Sequence, residues 1–237
     1  MPFVKRHAVF LFLVVLFHGA LASFAGEAAD PLRPPEPGWK EEHRGTGFAI
    51  YSKKVPSSRF NGNLLVGVLA HPPAACYRAA TDYAHYPEFM PYCRYVRVLD
   101  RQPLGPGRTR LHVFLYLDLP VLSNRYLISR YTDEEEITRN GLAGCYLSTW
   151  ETVKSGPYHR TLASPDIRES LPGARGIEIA GDHGYWLFEP LEQGRKTRMV
   201  YFEWSDPGGR IPAWVNNIGG EASLKDLWKR FRERCAR

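Results

Sequence analysis

The chain ends in one long helical pattern, residues 211–234, which follows a succession of strand-like segments. Ile211, Trp214, Val215 and Ile218 recur at spacings of three and four. Leu224, Leu227, Trp228 and Phe231 do so again further on, so each half of the segment has an apolar face. Pro212 suits a first turn, and Asp206 upstream offers an acceptor for free N–H groups. The two faces are rotated relative to one another near Gly219 and Gly220, where a kink is expected. Ahead of the helix, residues 94–101, 109–117, 125–131, 142–153, 177–188 and 197–204 are rich in β-branched, aromatic and leucine side chains. Separators such as LGPG at 104–107, RNG at 139–141 and QGR at 193–195 carry hairpin chemistry, and short connections make neighbouring strands antiparallel. Such a sheet has an apolar face to bury, and the helix has an apolar stripe. Both are satisfied when the sheet curves around the helix, an α+β arrangement.

Residues 47–55 and 63–70 read as a further strand pair, and residues 74–84 as a short helix opened by His71-Pro72-Pro73 and stopped at Tyr86-Pro87. Residues 154–176 have no clear period and read as a surface loop. At the start, Lys5 and Arg6 precede an apolar run at 8–17 and the small residues Ala20-Leu21-Ala22, the pattern of a secretory signal. Residues 1–22 are therefore expected to be a signal peptide cleaved near Ala22 and Ser23, giving a periplasmic or secreted protein. The apolar run falls short of the roughly 20 residues a membrane-spanning helix needs. Residues 23–38, ending in DPLRPPEPG, read as a proline-rich linker, and 39–237 as a single domain.

Charge and motifs narrow the function. The net charge of +6, which falls to +4 without Lys5 and Arg6, is too small an excess to point to nucleic acid. Lys225, Lys229, Arg230, Arg232 and Arg234 form either the wet face of the last helix or a transient contact for an anionic membrane. The acidic run 133–136 reads as a solvated hairpin end. There is no GxSxG, HExxH, P-loop or GxGxxG motif, no close Cys/His spacing of the metal-binding kind, and no cofactor is expected. A monomer is expected. Four cysteines in an exported chain allow three pairings or buried free thiols; Cys76 and Cys93, at the start of the first helix and of the strand that returns beside it, are the favoured pair.

Four segments carry a family likeness. YPEFMP at 86–91, DLPVLSNRYLISR at 118–130, GYWLFEP at 184–190 and above all YFEWSDPGGRIPAWVNN at 201–217 resemble the START and polyketide-cyclase-like proteins. This resemblance implies a helix-grip fold, with an internal apolar tunnel between sheet and C-terminal helix that holds one lipid. It makes the loop 118–124, with Leu119, Pro120, Val121 and Leu122, the gate at the tunnel mouth.

A lipid site needs an apolar lining with a few polar groups to orient the head. The candidate lining is Phe114, Tyr116, Tyr146, Trp150, Trp186, Phe188, Phe202, Trp204, Trp214, Val215 and Ile218, with Arg125, Tyr146 and Glu203 as polar candidates. The expected function is binding, and with it transfer, of a lipid or other hydrophobic molecule. Two alternatives stand beside it. One is a cyclase-type enzyme using the same cavity, with His159, His183 or Glu203 in acid–base roles; the other is an interaction domain with no tunnel.

Overall fold

The computed structural model describes residues 30–56, 58–120, 122–211 and 213–237, with the backbone alone for 213–219. The expected signal peptide and cleavage point lie outside the described residues. The elements are β1 (Lys40–Gly45), β2 (Phe48–Lys54), β3 (Asn61–Leu69), α1 (Pro73–Thr81), a 3-10 turn (Tyr83–His85), α2 (Tyr86–Phe89), β4 (Cys93–Gly105), β5 (Arg108–Leu117), β6 (Arg125–Arg139), β7 (Leu142–Thr152), α3 (Pro165–Ser170), β8 (Ile177–Glu178), β9 (Gly181–Leu191), β10 (Lys196–Asp206) and α4 (Ala213–Cys235). The strands form one ten-stranded sheet in the order β1-β2-β3-β10-β9-β7-β6-β5-β4, with β8 pairing in parallel beside the start of β6. Every other pairing is antiparallel. The β6–β7 hairpin turns on Asn140 and Gly141, both at positive φ (50° and 79°), the conformation an Asn-Gly turn supplies at little strain.

The inner face of the sheet closes over α1 and α4. Leu224, Leu227, Trp228 and Phe231 of α4 are buried there with Cys76, Tyr77 and Ala80 of α1. Phe231 lies against Trp186 and Phe89, with ring centroids 4.8 and 5.7 Å apart. Trp228 reaches β3 where Gly67 has no side chain; a Cβ there would sit 2.2 Å from the indole. This is the helix-grip arrangement the sequence implied. The second glycine at the expected kink packs instead of bending: α4 runs unbroken from Ala213 to Cys235, and Gly220 lies against Asn63 of β3.

The outer face is covered too, in two places where loops or linkers were expected. Residues 30–38 are tied along the sheet rather than free: Arg198 donates to the Pro31 and Arg33 carbonyls (2.9 and 2.6 Å), Tyr51 donates to the Leu32 carbonyl, and Leu32 packs beside Trp39. The loop 154–176 contains α3, whose Ile167 is fully buried over Phe114, Tyr116 and Ile128. β6 also continues through the acidic run. Its alternation carries Asp133 to the inner side, 5% exposed, where Tyr83 and Ser148 donate to it at 2.8 and 2.6 Å. Burial pushes this carboxyl up to about 6.

All four cysteines are free and buried. Cys76 and Cys93 are not joined: the Cys76 thiol hydrogen-bonds with Cys235 at the end of α4, and Cys93 with the Tyr95 carbonyl. The expected pairing is corrected accordingly. The return strand puts Cys93 on the cavity wall, while α4 brings its last turn to α1.

Candidate ligand-binding site

Strand alternation decides which side chains face inward. On β10 these are Tyr201, Glu203 and Ser205, and on β9 Asp182, Gly184 and Trp186, paired across the register as Ser205 with Asp182, Glu203 with Gly184 and Tyr201 with Trp186. β7 adds Trp150, opposite Gly184, and β5 and β6 add Leu115, Leu117, Leu127 and Tyr131. Together with Tyr86, Met90, Pro91 and α4 around Gly220 and Ser223, these side chains enclose a cavity of about 240 Å³. One water needs roughly 10–15 Å³ on this measure, so the space suits a much larger guest. Leu119, Pro120 and Leu122, from the loop between β5 and β6, complete the wall.

One end of this apolar space is acidic. Gly184 leaves a gap: a Cβ there would lie 2.4 Å from the Trp150 ring and 2.1 Å from the Phe202 carbonyl oxygen. The indole lies across that gap and donates from Nε1 to Asp182 Oδ1 at 2.6 Å. Ser205 also hydrogen-bonds with Asp182, and Tyr201 donates to Glu203. Burial, with the Glu203 charge beside it, pushes the Asp182 carboxyl up to about 7; burial likewise raises Glu203 against the Tyr201 hydrogen bond. No lysine or arginine among the described residues lines the cavity. Half-buried carboxyls with raised proton affinity hold hydrogen-bond donors, or exchange protons near neutral pH.

The model of the polyketide cyclase / dehydrase and lipid transport family matches residues 69–232. The chain belongs to this family. Its fold is shared with a STAR-related lipid transfer protein from Xanthomonas axonopodis, with a TM-score of 0.64 and 20% identity over 84% of this chain and 99% of that one. It is shared equally with human StAR-related lipid transfer protein 5, with a TM-score of 0.66 and 15% identity over 84% and 87%. At such identities the likeness establishes the fold. No curated protein matches the chain.

Within this family's fold the sequence candidates scatter. Trp150, Trp186, Glu203, Leu119, Pro120 and Leu122 meet at the cavity. Phe114, Tyr116, Phe202 and Trp204 do not line it: they are one residue out of step and lie on the outer face. The first two pack under α3, Phe202 packs against Trp39 (5.9 Å), and Trp204 donates to Ser58 at 3.1 Å. Tyr146 and Phe188 face inward but are packed away from the cavity, Tyr146 on Tyr77 (5.1 Å) and Phe188 beside Phe231 (6.1 Å). Arg125 is buried at 2% exposure, away from the cavity lining, and binds the chain itself: it donates to the carbonyls of Pro207 (2.6 Å), Ser123 and Asn124 (3.3 Å). Val121 and the side chains of Trp214, Val215 and Ile218 lie outside the described residues. His159 pairs with Glu178, and His183 lies against Trp204 on the outer face. Asp182, Ser205, Asn63, Tyr131, Leu115 and Leu127 went unread. The signal that finds them is parity: once Trp186 faces inward, so do residues 182 and 184, and their partners on β10 follow.

Proposed function

We propose that the protein binds a lipid or other hydrophobic small molecule, one per chain, in the cavity between the sheet and α4, and passes it between membranes after export. The observation that carries this reading is the cavity itself: a partly open, mostly apolar space walled by Leu115, Leu127, Trp150 and Trp186, with Leu119, Pro120 and Leu122 of the β5–β6 loop on its rim. Apolar loop residues normally cost solvation, so a loop rich in them is suited to cover a greasy interior and to part for a greasy guest. The two structural relatives, both lipid transfer proteins, support the same reading.

The basic residues of α4 support membrane attraction weakly, because several are spent on ion pairs. Lys225 pairs with Glu221 (2.7 Å), Arg230 with Asp226 (2.9 Å) and Arg234 with Asp82 (2.5 Å). No helix among the described residues is long and apolar enough to cross a membrane.

Purifying the exported protein from its host and identifying small molecules in it by mass spectrometry tests the reading. A co-purifying lipid in near-equal amount is expected; a protein that is empty and takes up no lipid from vesicles contradicts it. N-terminal sequencing of the same sample is expected to begin within a few residues of Ser23, and an intact Met1 contradicts the export step.

A second reading rests on the Asp182–Glu203 pair. A carboxyl titrating near 7 inside a cavity is the kind of group that acts as a general acid or base, so an enzyme acting on a hydrophobic substrate uses the same space. Turnover of an added substrate without retained lipid favours it.

A further inference from the structure

Lipid heads differ in charge and hydrogen-bonding sense, and the polar end of the cavity is one-sided in both. Asp182 and Glu203 face it as two acids on adjacent strands, diagonal neighbours across the β9–β10 register. No cationic side chain among the described residues lines the cavity to offset them. An anionic phosphate or carboxylate brought here meets repulsion in a poorly solvated space, where opposite or like charge counts far more than in water.

A second, independent feature points at a guest. Asn63 of β3 is 8% exposed and lines the same end of the cavity, yet its side-chain amide has no hydrogen-bond partner among the described residues. α4 presses on it closely enough that a Cβ on Gly220 would lie 2.9 Å from its nitrogen. Asn63 is the register partner of Glu203, so its amide stands next to the acid pair, and polar groups in such a place are normally satisfied. Asn63 therefore offers an amide donor and acceptor to a guest at the cavity wall beside Glu203.

Resting on the lipid-binding reading, we propose that this end of the cavity is a head-group subsite. It selects hydrophobic molecules with a hydroxyl or amine head and rejects those with phosphate or carboxylate heads. The hydroxyl or ammonium donates to the Asp182–Glu203 pair, and a hydroxyl oxygen also accepts from the Asn63 amide. The apolar tail runs along Leu115, Leu127 and Trp186.

The test uses the full chain and four ligands with the same sixteen-carbon tail. Uptake of diphenylhexatriene, a neutral apolar fluorophore, is measured first, and then its displacement by hexadecanol, hexadecylamine, palmitate and hexadecyl phosphate at neutral pH. The alcohol and the amine are expected to displace it at concentrations at least about tenfold lower than the two anions, the ratio that 1.4 kcal/mol of discrimination provides. Asp182→Asn and Glu203→Gln, each removing charge while keeping shape, are expected to shrink that ratio several-fold by admitting palmitate. Equal or reversed preference in a protein that binds the fluorophore overturns the subsite and leaves the cavity reading intact. A preference unchanged in both variants shows that the acid pair does not set it. A wild-type chain that takes up no fluorophore overturns the binding reading and this subsite together.

Discussion

Trp228 packs on β3 at Gly67 with no room for a side chain there, so Gly67→Ala probes whether α4 is held against the sheet. The added methyl carbon would start 2.2 Å from the nearest indole carbon, with two more ring carbons at 2.7 and 2.9 Å. Ordinary contact begins near 3.4 Å, so the ring must retreat by about 1 Å or the strand must bend. Retreat is blocked on another side by Phe48, whose ring stacks on the indole at 5.3 Å, and Trp228 itself is 4% exposed. Overpacking of this kind costs about 1–3 kcal/mol, and full loss of a buried tryptophan about 3–5 kcal/mol. The expected loss for Gly67→Ala is therefore about 2–4 kcal/mol, which in a domain of this size lowers Tm by roughly 5–15 °C. Urea unfolding read as a midpoint shift at constant slope measures it. The cause is separated by a double-mutant cycle: in a Trp228→Leu background, where the indole is gone, the same Gly67→Ala change is expected to cost less than about 1 kcal/mol. A Gly67→Ala protein within about 0.5 kcal/mol of the parent, or a cost undiminished by Trp228→Leu, refutes the reasoning.

Two further predictions concern the site and its support. Asp182 holds its proton more tightly folded than unfolded, its pKa standing at about 7 against 3.8, so stability falls as pH rises through that window. Asp182→Asn, which keeps an oxygen for Trp150, is expected to be nearly neutral at pH 4 and stabilising by about 2–4 kcal/mol at pH 8, at roughly 1.4 kcal/mol per pKa unit; equal urea midpoints relative to the parent at both pH values contradict the raised pKa. Arg125→Ala leaves the buried Pro207 carbonyl, and the Ser123 and Asn124 carbonyls nearer the surface, without their donor and is expected to cost about 2–4 kcal/mol while fluorophore affinity stays within about threefold, because Arg125 does not line the cavity; large loss of affinity at unchanged stability contradicts that placement.

What could be read from the sequence follows from which interactions are local. The hairpins and α4 were legible because turn chemistry at Asn140-Gly141 and the recurrence of Leu224, Leu227, Trp228 and Phe231 are written within a few residues of each other. The family resemblance located the loop 118–124, of which Leu119, Pro120 and Leu122 reach the cavity. Choosing lining residues by aromatic character failed on β5 and β10, where a one-residue slip exchanges faces and both faces are covered: Phe114 and Phe202 are as useful beneath α3 and Trp39 as inside. Composition could not separate the faces, because residues 30–38 and α3 bury the outer one with sequence far away. Asp182 stayed hidden for the same reason. Its meaning comes from Trp150 reaching across Gly184, a contact set by the β7–β9 register.

The claim that the ligand lies in this cavity is tested most directly by photo-crosslinking. A diazirine placed near the tail end of hexadecanol, bound to the full chain and irradiated, labels whatever surrounds the tail, and peptide mapping locates the label. The account predicts modification of the peptides carrying Leu115, Leu127 and Trp186, suppressed by excess unlabelled hexadecanol. Label concentrated on the outer face, around Trp39 and Phe202 or beneath α3, with these inner peptides unmodified, would contradict it.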